Sequence, residues 1–410
     1  MYARKRLDIG WLDLASGLWS SGVAPDRDET ARSVERWFSE RGEALCTLSI
    51  RSGFDLYLEQ LALPRGSEVL VSALTIPDMW RVIEHHGLVP VPVDVDTRTL
   101  APKLDVLERA ASGKTRALLV AHLFGTRFPL EPYARVCRER GWLLLEDCAQ
   151  AFTGPEYKGS PLADVAMFSF GPIKTSAALA GGVLVVRDAN LLKQMRAVHD
   201  TWPLQASGAY ARRIVKYAGL KAVTSPLLYR GFVKWCHLKG TDQDAVIQST
   251  VRGFAGGDFW TKLRHRPSAP LCALIERRLR EYDGSRVALR TRIATTLVQS
   301  LRGVVEIPGS AAPLHSFWVF TILVDEPARV VALLREHGYD ATCVATMSAL
   351  PAPADRPELD PREARQMLAR IVYLPVYPEL PERSAAELAT LLRSAGTRHA
   401  GLHEELPGVV

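Results

Sequence analysis

Residues 143–187 read LLLEDCAQAFTGPEYKGSPLADVAMFSFGPIKTSAALAGGVLVVR, and an acid and a lysine each follow one of its apolar runs. Asp147 comes after Leu143-Leu144-Leu145, and Lys174 after Val165-Ala166-Met167-Phe168. Runs this apolar predict strands buried in a parallel sheet, where functional groups gather at the carboxyl ends of the strands. Both residues are therefore expected in one crevice. A lysine that loses hydration has a lowered pKa and a free lone pair, which suits it to form a Schiff base. A carboxylate facing the same crevice is the partner a pyridinium nitrogen requires if its ring is to act as an electron sink. Together the two suggest pyridoxal phosphate. Taken singly, each has a plainer reading: the lysine as a solvated loop charge, the aspartate as a turn or cap residue.

The sequence EDCAQA, then FSF-x-x-x-K, then GG before VLVV resembles the fold-type-I sugar aminotransferases of the DegT/DnrJ/EryC1/StrS family. The resemblance implies that Lys174 carries the cofactor and that Asp147 pairs with the ring nitrogen. It places Gln150 near the ring's phenolic oxygen and gives Ser169 a phosphate-binding role. It also implies an α/β fold, with a mainly parallel sheet in a large domain and a smaller α/β C-terminal domain, in a homodimer. The substrates it implies are small molecules: an amino donor such as glutamate, and a keto-sugar nucleotide or related ketone or aldehyde as acceptor.

The 410 residues suffice for two domains or for one with a lobe, and an apolar content of 47% predicts a soluble globular chain. The longest apolar run, Ala177 to Val186, is too short to span a bilayer. Asp8 and Asp13 interrupt the stretch after Arg4-Lys5-Arg6, so no signal-peptide core is expected and the protein is read as cytoplasmic. Six scattered cysteines without a C-x-x-C pair point to neither a disulfide framework nor a metal site. The net charge of +6 is local: seven bases and no acid lie between Asp200 and Asp242, and without them the net charge is −1. That distribution argues against nucleic acid and for one inserted basic element.

Taken in order, residues 1–47 read as a loose arm and then a helix from Arg27 to Arg41. LSIRSGFDLYLEQLAL, residues 48–63, resembles the family's phosphate loop, with Ser52, Gly53 and Phe54 where a helix N-terminus would offer N–H groups to an anion. The family has a small hydroxyl residue and an alanine where this chain has Phe54 and Asp55. An acid repels a phosphate, so either Asp55 turns away or the phosphate is held differently. The family's ring-stacking aromatic is Ile76 here, with Trp80 one helical turn on as its substitute, or simply as a core tryptophan. His122 in HLFG reads as a structural histidine.

Residues 201–250 depart from the family pattern. Their aromatic and aliphatic residues alternate with the bases and predict an amphipathic helix pair broken at Ser225-Pro226, either docked on an anionic membrane surface or packed on a partner subunit. Arg264 stands where family dimers send an asparagine to the partner's cofactor phosphate, and a guanidinium would hold that phosphate bidentately. A strand at Ser316–Val324, a helix at Pro327–His337, a substrate-side loop at Ser348–Pro361 and a closing strand and capped helix complete the chain. The expected divisions are a cofactor-binding domain at 1–200, a basic helical insertion at 201–262 and a smaller domain at 263–410. Two rivals to the aminotransferase remain at this level: a cofactor-dependent sugar dehydratase, whose family members replace the lysine with histidine, and a catalytically quiet scaffold.

Overall fold

The structure is a computed structural model that describes residues 1–4, 6–23, 25–240, 258–344 and 347–395. The chain opens on helices α1 (Trp11–Val23) and α2 (Arg27–Phe38), then strand β1 (Ala44–Thr47) and helix α3 (Ile50–Leu61). Strands β2 (Glu68–Ser72) and β3 (Leu74–Thr75), helix α4 (Pro77–His85), strand β4 (Val89–Val93) and helix α5 (Leu104–Ala110) follow. Next come β5 (Thr115–Ala121), β6 (Thr126–Arg127), α6 (Glu131–Arg140), β7 (Leu143–Asp147), β8 (Val165–Ser169) and β9 (Gly182–Val186). Helices α7 (Ala189–Thr201), α8 (Ser207–Val223) and α9 (Pro226–Leu238) close the first half.

Seven strands form one sheet in the order β1-β9-β8-β7-β5-β2-β4. Pairings from β8 through β4 are parallel, whereas β9 runs antiparallel to both β8 and β1. A parallel return from β8 would need a helical crossover, and the segment between Ser169 and Gly182 contains none. Gly181, at φ +93°, makes the reversal, and a Cβ there would lie 2.5 Å from Ile275. Because β5, β7 and β8 are parallel, His122, Asp147 and Ser169 emerge on the same edge of the sheet.

Both faces of the sheet are covered. Phe38, Phe168, Tyr210, Ile214 and Leu271 belong to the core on one face, and Phe54, Val71, Met79, Met167 and Met195 to the core on the other. The C-terminal part has its own core, in which Leu297, Phe320, Val330, Leu374 and Leu388 meet. Its long helix Gly284–Ser300 packs with helix Glu382–Ser394, and strands β11 (Phe320–Leu323) and β13 (Ile371–Leu374) pair antiparallel. The α/β architecture with a mainly parallel sheet is as expected.

Several local expectations change. The arm before Arg27 contains a 13-residue helix, α1, which the sequence hides because its glycines and serines interrupt the apolar pattern. Gly17 is needed there: a Cβ on it would lie 2.9 Å from Ile214 of α8, so the absent side chain is what lets the two helices close. Helix α2 stops at Phe38 rather than Arg41, since Ser39 is already extended (φ −149°). The strand predicted at Ser316–Val324 is shorter, beginning at Phe320, because Phe317 turns the chain at φ +47° after the short β10 (Leu314–His315). In the loop expected at Ser348–Pro361, β12 (Ser348–Ala349) pairs with β3. The last helix follows Pro381, whose side chain supplies no cap. Helices α8 and α9 break where Ser225-Pro226 predicts; residues 241–250 of the insertion lie outside the described residues.

Candidate active site

Three strand ends and one loop build the crevice. Asp147 ends β7, and its Oδ1 accepts the backbone N–H of Ala149 at 2.8 Å. No hydrogen bond or ion pair among the described residues engages its other oxygen. Burial raises the Asp147 carboxyl above its ordinary range, outweighing the Ala149 hydrogen bond and the attraction of Lys174. A carboxylate in this position is stabilised by a cationic partner presented from the crevice.

Lys174 lies in the turn after β8, its backbone N–H bonded to the carbonyl of Gly171 at 3.0 Å. Its Nζ stands 4.2 Å from the ring centroid of Trp318 and has no acid within ion-pair distance among the described residues. Burial, with a smaller contribution from the positive charge of Arg51, brings its pKa down to about 8 against the opposing pull of Asp147. Apo-protein Lys174 should therefore react with an amine-directed acylating reagent with a midpoint near pH 8. Ordinary lysines titrate near about 10.4. Peptide mapping of the modified protein across pH checks this, and a midpoint in the ordinary range would contradict the burial argument.

The loop that presents Lys174 is strained and held. Ser176 and Leu179 adopt left-handed φ values of 56° and 66°, unfavourable for residues with a side chain. Ser176 N–H donates to Asp8 Oδ2 at 2.9 Å and its hydroxyl to the carbonyl of Arg278 at 3.0 Å. From α8, Tyr210 donates its hydroxyl to the carbonyl of Ala178 at 2.8 Å, and Arg213 Nε–H donates to that of Leu179 at 2.7 Å. The N-terminal arm and helix α8 thus fix the lysine's support.

Gln150 and Ser169 sit on the same rim. Gln150 Oε1 accepts the N–H of Phe124 at 2.8 Å, which ties the end of β7 to the loop after β5. A Cβ added at Gly171 would lie 3.6 Å from Ser169 Oγ and 3.8 Å from Lys174 Cγ, so serine and lysine flank one glycine. Beneath them, His122 Nε2 meets Glu146 Oε1 at 2.8 Å, and Glu146 also accepts from Tyr157 and from Ser160 N–H. Cys148 brings a third potential ligand atom within 4.8 Å of these two. With Glu146 already accepting three hydrogen bonds, the group serves as a buried polar network, in line with the structural reading of His122.

The phosphate-loop residues are placed differently from expectation. Ser52 is buried, its N–H bonded to Ser49 Oγ at 3.1 Å and its hydroxyl 2.9 Å from the same oxygen, so it completes the helix cap. Gly53 faces β9, where a Cβ would lie 2.0 Å from Leu184. Phe54 is wholly buried in the core of that face, and Trp80 packs partly buried against the same core. As a side-chain ligand, Phe54 is corrected to a core residue: that face of α3 meets apolar neighbours, while Trp80, on α4, is only partly buried against them.

Asp55 does turn away. It is fully buried, with Oδ1 3.0 Å from His86 Nε2, while Arg264 donates Nε–H to Oδ2 at 2.8 Å and Nη2–H to Oδ1 at 3.2 Å. Burial raises the Asp55 carboxyl, but His86 and Arg264 together hold it below its ordinary range. Arg264, expected to reach a partner's phosphate, instead commits its fork to its own chain, because a buried carboxylate is the nearest and least hydrated anion. Arg264→Ala should therefore lower stability by about 2 kcal/mol, discounted from the ~3–5 kcal/mol of a wholly buried pair because Arg264 is a third exposed. The sign with pH follows from the depressed Asp55 pKa. The stabilisation is complete above about pH 4 and is lost as pH falls through the folded value, so urea midpoints of the two proteins should converge in acid.

Two residues on this rim are not legible in the sequence. Trp318 reaches Lys174 from the C-terminal part and donates Nε1–H to the carbonyl of Ile173 at 2.9 Å. Gly125, at φ +97°, allows that approach, since a Cβ would lie 2.6 Å from the Trp318 backbone nitrogen. Arg51, on the first turn of α3, pairs with Asp78 and acts electrostatically on Lys174. Both arrive from segments far from 143–187 in sequence, so no spacing marks them.

The fold recurs in solved structures. The aminotransferase TlmJ from Streptoalloteichus hindustanus superposes with a TM-score of 0.71 at 20% identity, covering 96% of this chain and 98% of that one. By sequence, GDP-perosamine synthase of Escherichia coli O157:H7 is 31% identical over 166 residues, 39% of this chain and 45% of that protein. UDP-N-acetyl-3-dehydro-alpha-D-glucosamine 3-aminotransferase of Acidithiobacillus ferrooxidans is 26% identical over 353 residues, 82% of this chain and 80% of that protein. The chain thus spans less than half the length of the first relative and four fifths of the second. The profile of the DegT/DnrJ/EryC1/StrS aminotransferase family matches residues 14–218 and 265–393, and the chain belongs to that family. The match passes over residues 219–264, whereas residues 201–218, expected to depart from the family pattern, lie within it.

Proposed function

We propose that this family member is a pyridoxal-phosphate-dependent aminotransferase that moves an amino group from an amino acid, glutamate being the expected one, to a keto-sugar nucleotide or a related ketone or aldehyde. The observation that carries the reading is Lys174 with a pKa of about 8 on the same sheet edge as Asp147, whose second oxygen has no hydrogen-bond partner among the described residues. The acceptor class rests on the relatives, two of which are named for activities on nucleotide sugars.

The residues present suit the cofactor. Lys174 would anchor its aldehyde carbon, Asp147 its ring nitrogen and Gln150 its phenolic oxygen. Ser169 and the first turn of α3 would take the phosphate. When bound, pyridoxal phosphate supplies the electron sink that acidifies the α-proton of an amino donor. Asp147, buried and without a cationic partner in contact among the described residues, would hold a ring nitrogen in its protonated state. Lys174 Nζ would be the group that holds and moves the donor's α-proton, a task suited to an amine whose pKa lies near the working pH. Trp318 covers the ammonium and limits its access to water.

A homodimer and a peripheral contact of residues 201–250 with an anionic membrane surface are further parts of the proposal. Among the described residues no helix is long and apolar enough to cross a membrane. The test is direct. Purified protein should hold a visible-absorbing cofactor, bleach with glutamate, and recover the absorption on addition of a keto-sugar nucleotide. Retention of cofactor with no bleaching by any amino donor would favour the quiet scaffold instead, a reading the inward-turned Phe54 and Asp55 would support.

A further inference from the structure

Helix α1 carries an apolar stripe on its outer side. Trp11, Leu12, Trp19 and Val23 are 55%, 77%, 74% and 60% exposed, while Leu14 and Gly17 face inward. A helix that buries one side and leaves two tryptophans and a leucine in water has an outer face that nothing among the described residues covers. Helix α8 lies alongside, running the other way: Gly17 meets Ile214, and Lys221 Nζ lies 5.7 Å from the Trp11 ring. Outward on α8 stand Arg212, Val215 and Lys216.

Helix α9 repeats the pattern. Its Tyr229 is buried and donates to Asp340 Oδ2 at 2.6 Å, which anchors the helix. Leu228, Trp235 and Leu238 are 57%, 53% and 78% exposed, with Arg230, Lys234 and Lys239 exposed among them. From Ser207 to Leu238 there is no acid. The single acid of α1, Asp13, is buried and paired with Arg277 at 3.0 Å and Arg278 at 2.8 Å. The three helices thus present indole rings and aliphatic side chains set among cations, with no exposed carboxylate. A second copy of this chain docked across α8 and α9 would oppose cation to cation. An anionic lipid surface offers negative headgroups and an apolar layer at the depth of the rings.

We infer that α1, α8 and α9 together form one docking face for an anionic bilayer surface, with the tryptophans of the N-terminal helix as its apolar anchor. The inference rests on the membrane contact proposed for residues 201–250 and adds α1, which lies outside that stretch. Bases near an anionic surface each raise affinity about fivefold, so a few give reversible attachment. The rings add an apolar contribution that salt does not screen but that does not suffice without the charges.

Co-sedimentation of the full chain with vesicles of phosphatidylglycerol and phosphatidylcholine tests this, against pure phosphatidylcholine and across salt. The wild type should bind the anionic vesicles and not the neutral ones. A Leu12→Ser/Trp19→Ser double variant should lose about tenfold or more in affinity. An Arg212→Gln/Lys216→Gln/Lys234→Gln triple variant should lose about a hundredfold. All five positions are exposed, so unchanged melting temperature and oligomeric state should confirm intact folding. Full binding by the α1 variant, with loss only in the α8–α9 variant, overturns the part given to α1 and leaves the basic contact standing. No binding of wild type to anionic vesicles at low salt overturns both. Self-association of the wild type that the α1 variant abolishes, without vesicle binding, would assign the face to a second copy.

Discussion

The Lys174→Ala variant should fold, take up pyridoxal phosphate only reversibly and lose amino transfer by about a thousandfold or more. A positioned acid–base group alone contributes roughly 10²–10⁴, and the covalent anchor is lost as well. Borohydride treatment of the wild type should fix the cofactor on the peptide containing Lys174, while the variant should retain none. Recovery of fixed cofactor on another lysine would remove Lys174 from its role. The same variant carries a signature in stability that needs no cofactor. In the folded apo-protein the ammonium titrates near 8, and in the unfolded chain near about 10.4. Between those values the unfolded chain binds the extra proton, so apo wild type should gain stability as pH rises from about 8 to about 10. Lys174→Ala should lack that gain.

Asp147→Asn should reduce turnover by at least about a hundredfold, the scale of removing one preorganised electrostatic contact, while cofactor affinity changes far less. The substitution is isosteric, and the amide oxygen can still accept the Ala149 N–H, so the strand end should keep its shape. What it loses is the negative charge that holds a ring nitrogen protonated. Single-turnover measurement of the half-reaction with glutamate isolates that effect from acceptor binding. An unchanged rate would mean that Asp147 serves only as a turn residue, the plainer reading open to any aspartate at a strand end.

Much of this follows from short-range pattern. The runs before Asp147 and Lys174 are apolar enough to be strands covered on both faces, and parallel strands bring their carboxyl ends to one edge. Asp147, Gln150, Ser169 and Lys174 could therefore be placed together from residues 143–187 alone. The basic helix pair was legible for the same reason, since composition and a proline at 226 mark it without reference to the rest of the chain.

Elsewhere, side-chain direction and long-range packing governed. Phe54 and Asp55 occupy the expected loop, yet their orientation depended on what α3 lies against: Leu184 on the sheet, His86 and Arg264 beyond it. Arg264 looked like a phosphate ligand until Asp55, 209 residues away in sequence, took its guanidinium. Trp318 and Gly125 form the rim over Lys174 from distant parts of the chain, and α1 packs closely on α8 because Gly17 lets Ile214 approach. Sequence alone was enough for the strands and the edge they share, because periodicity and apolar runs act locally; the roles expected of Gln150 and Ser169 came from the family resemblance. Which cation met which carboxylate, and which aromatic covered the lysine, were settled only when burial forced distant groups to satisfy one another.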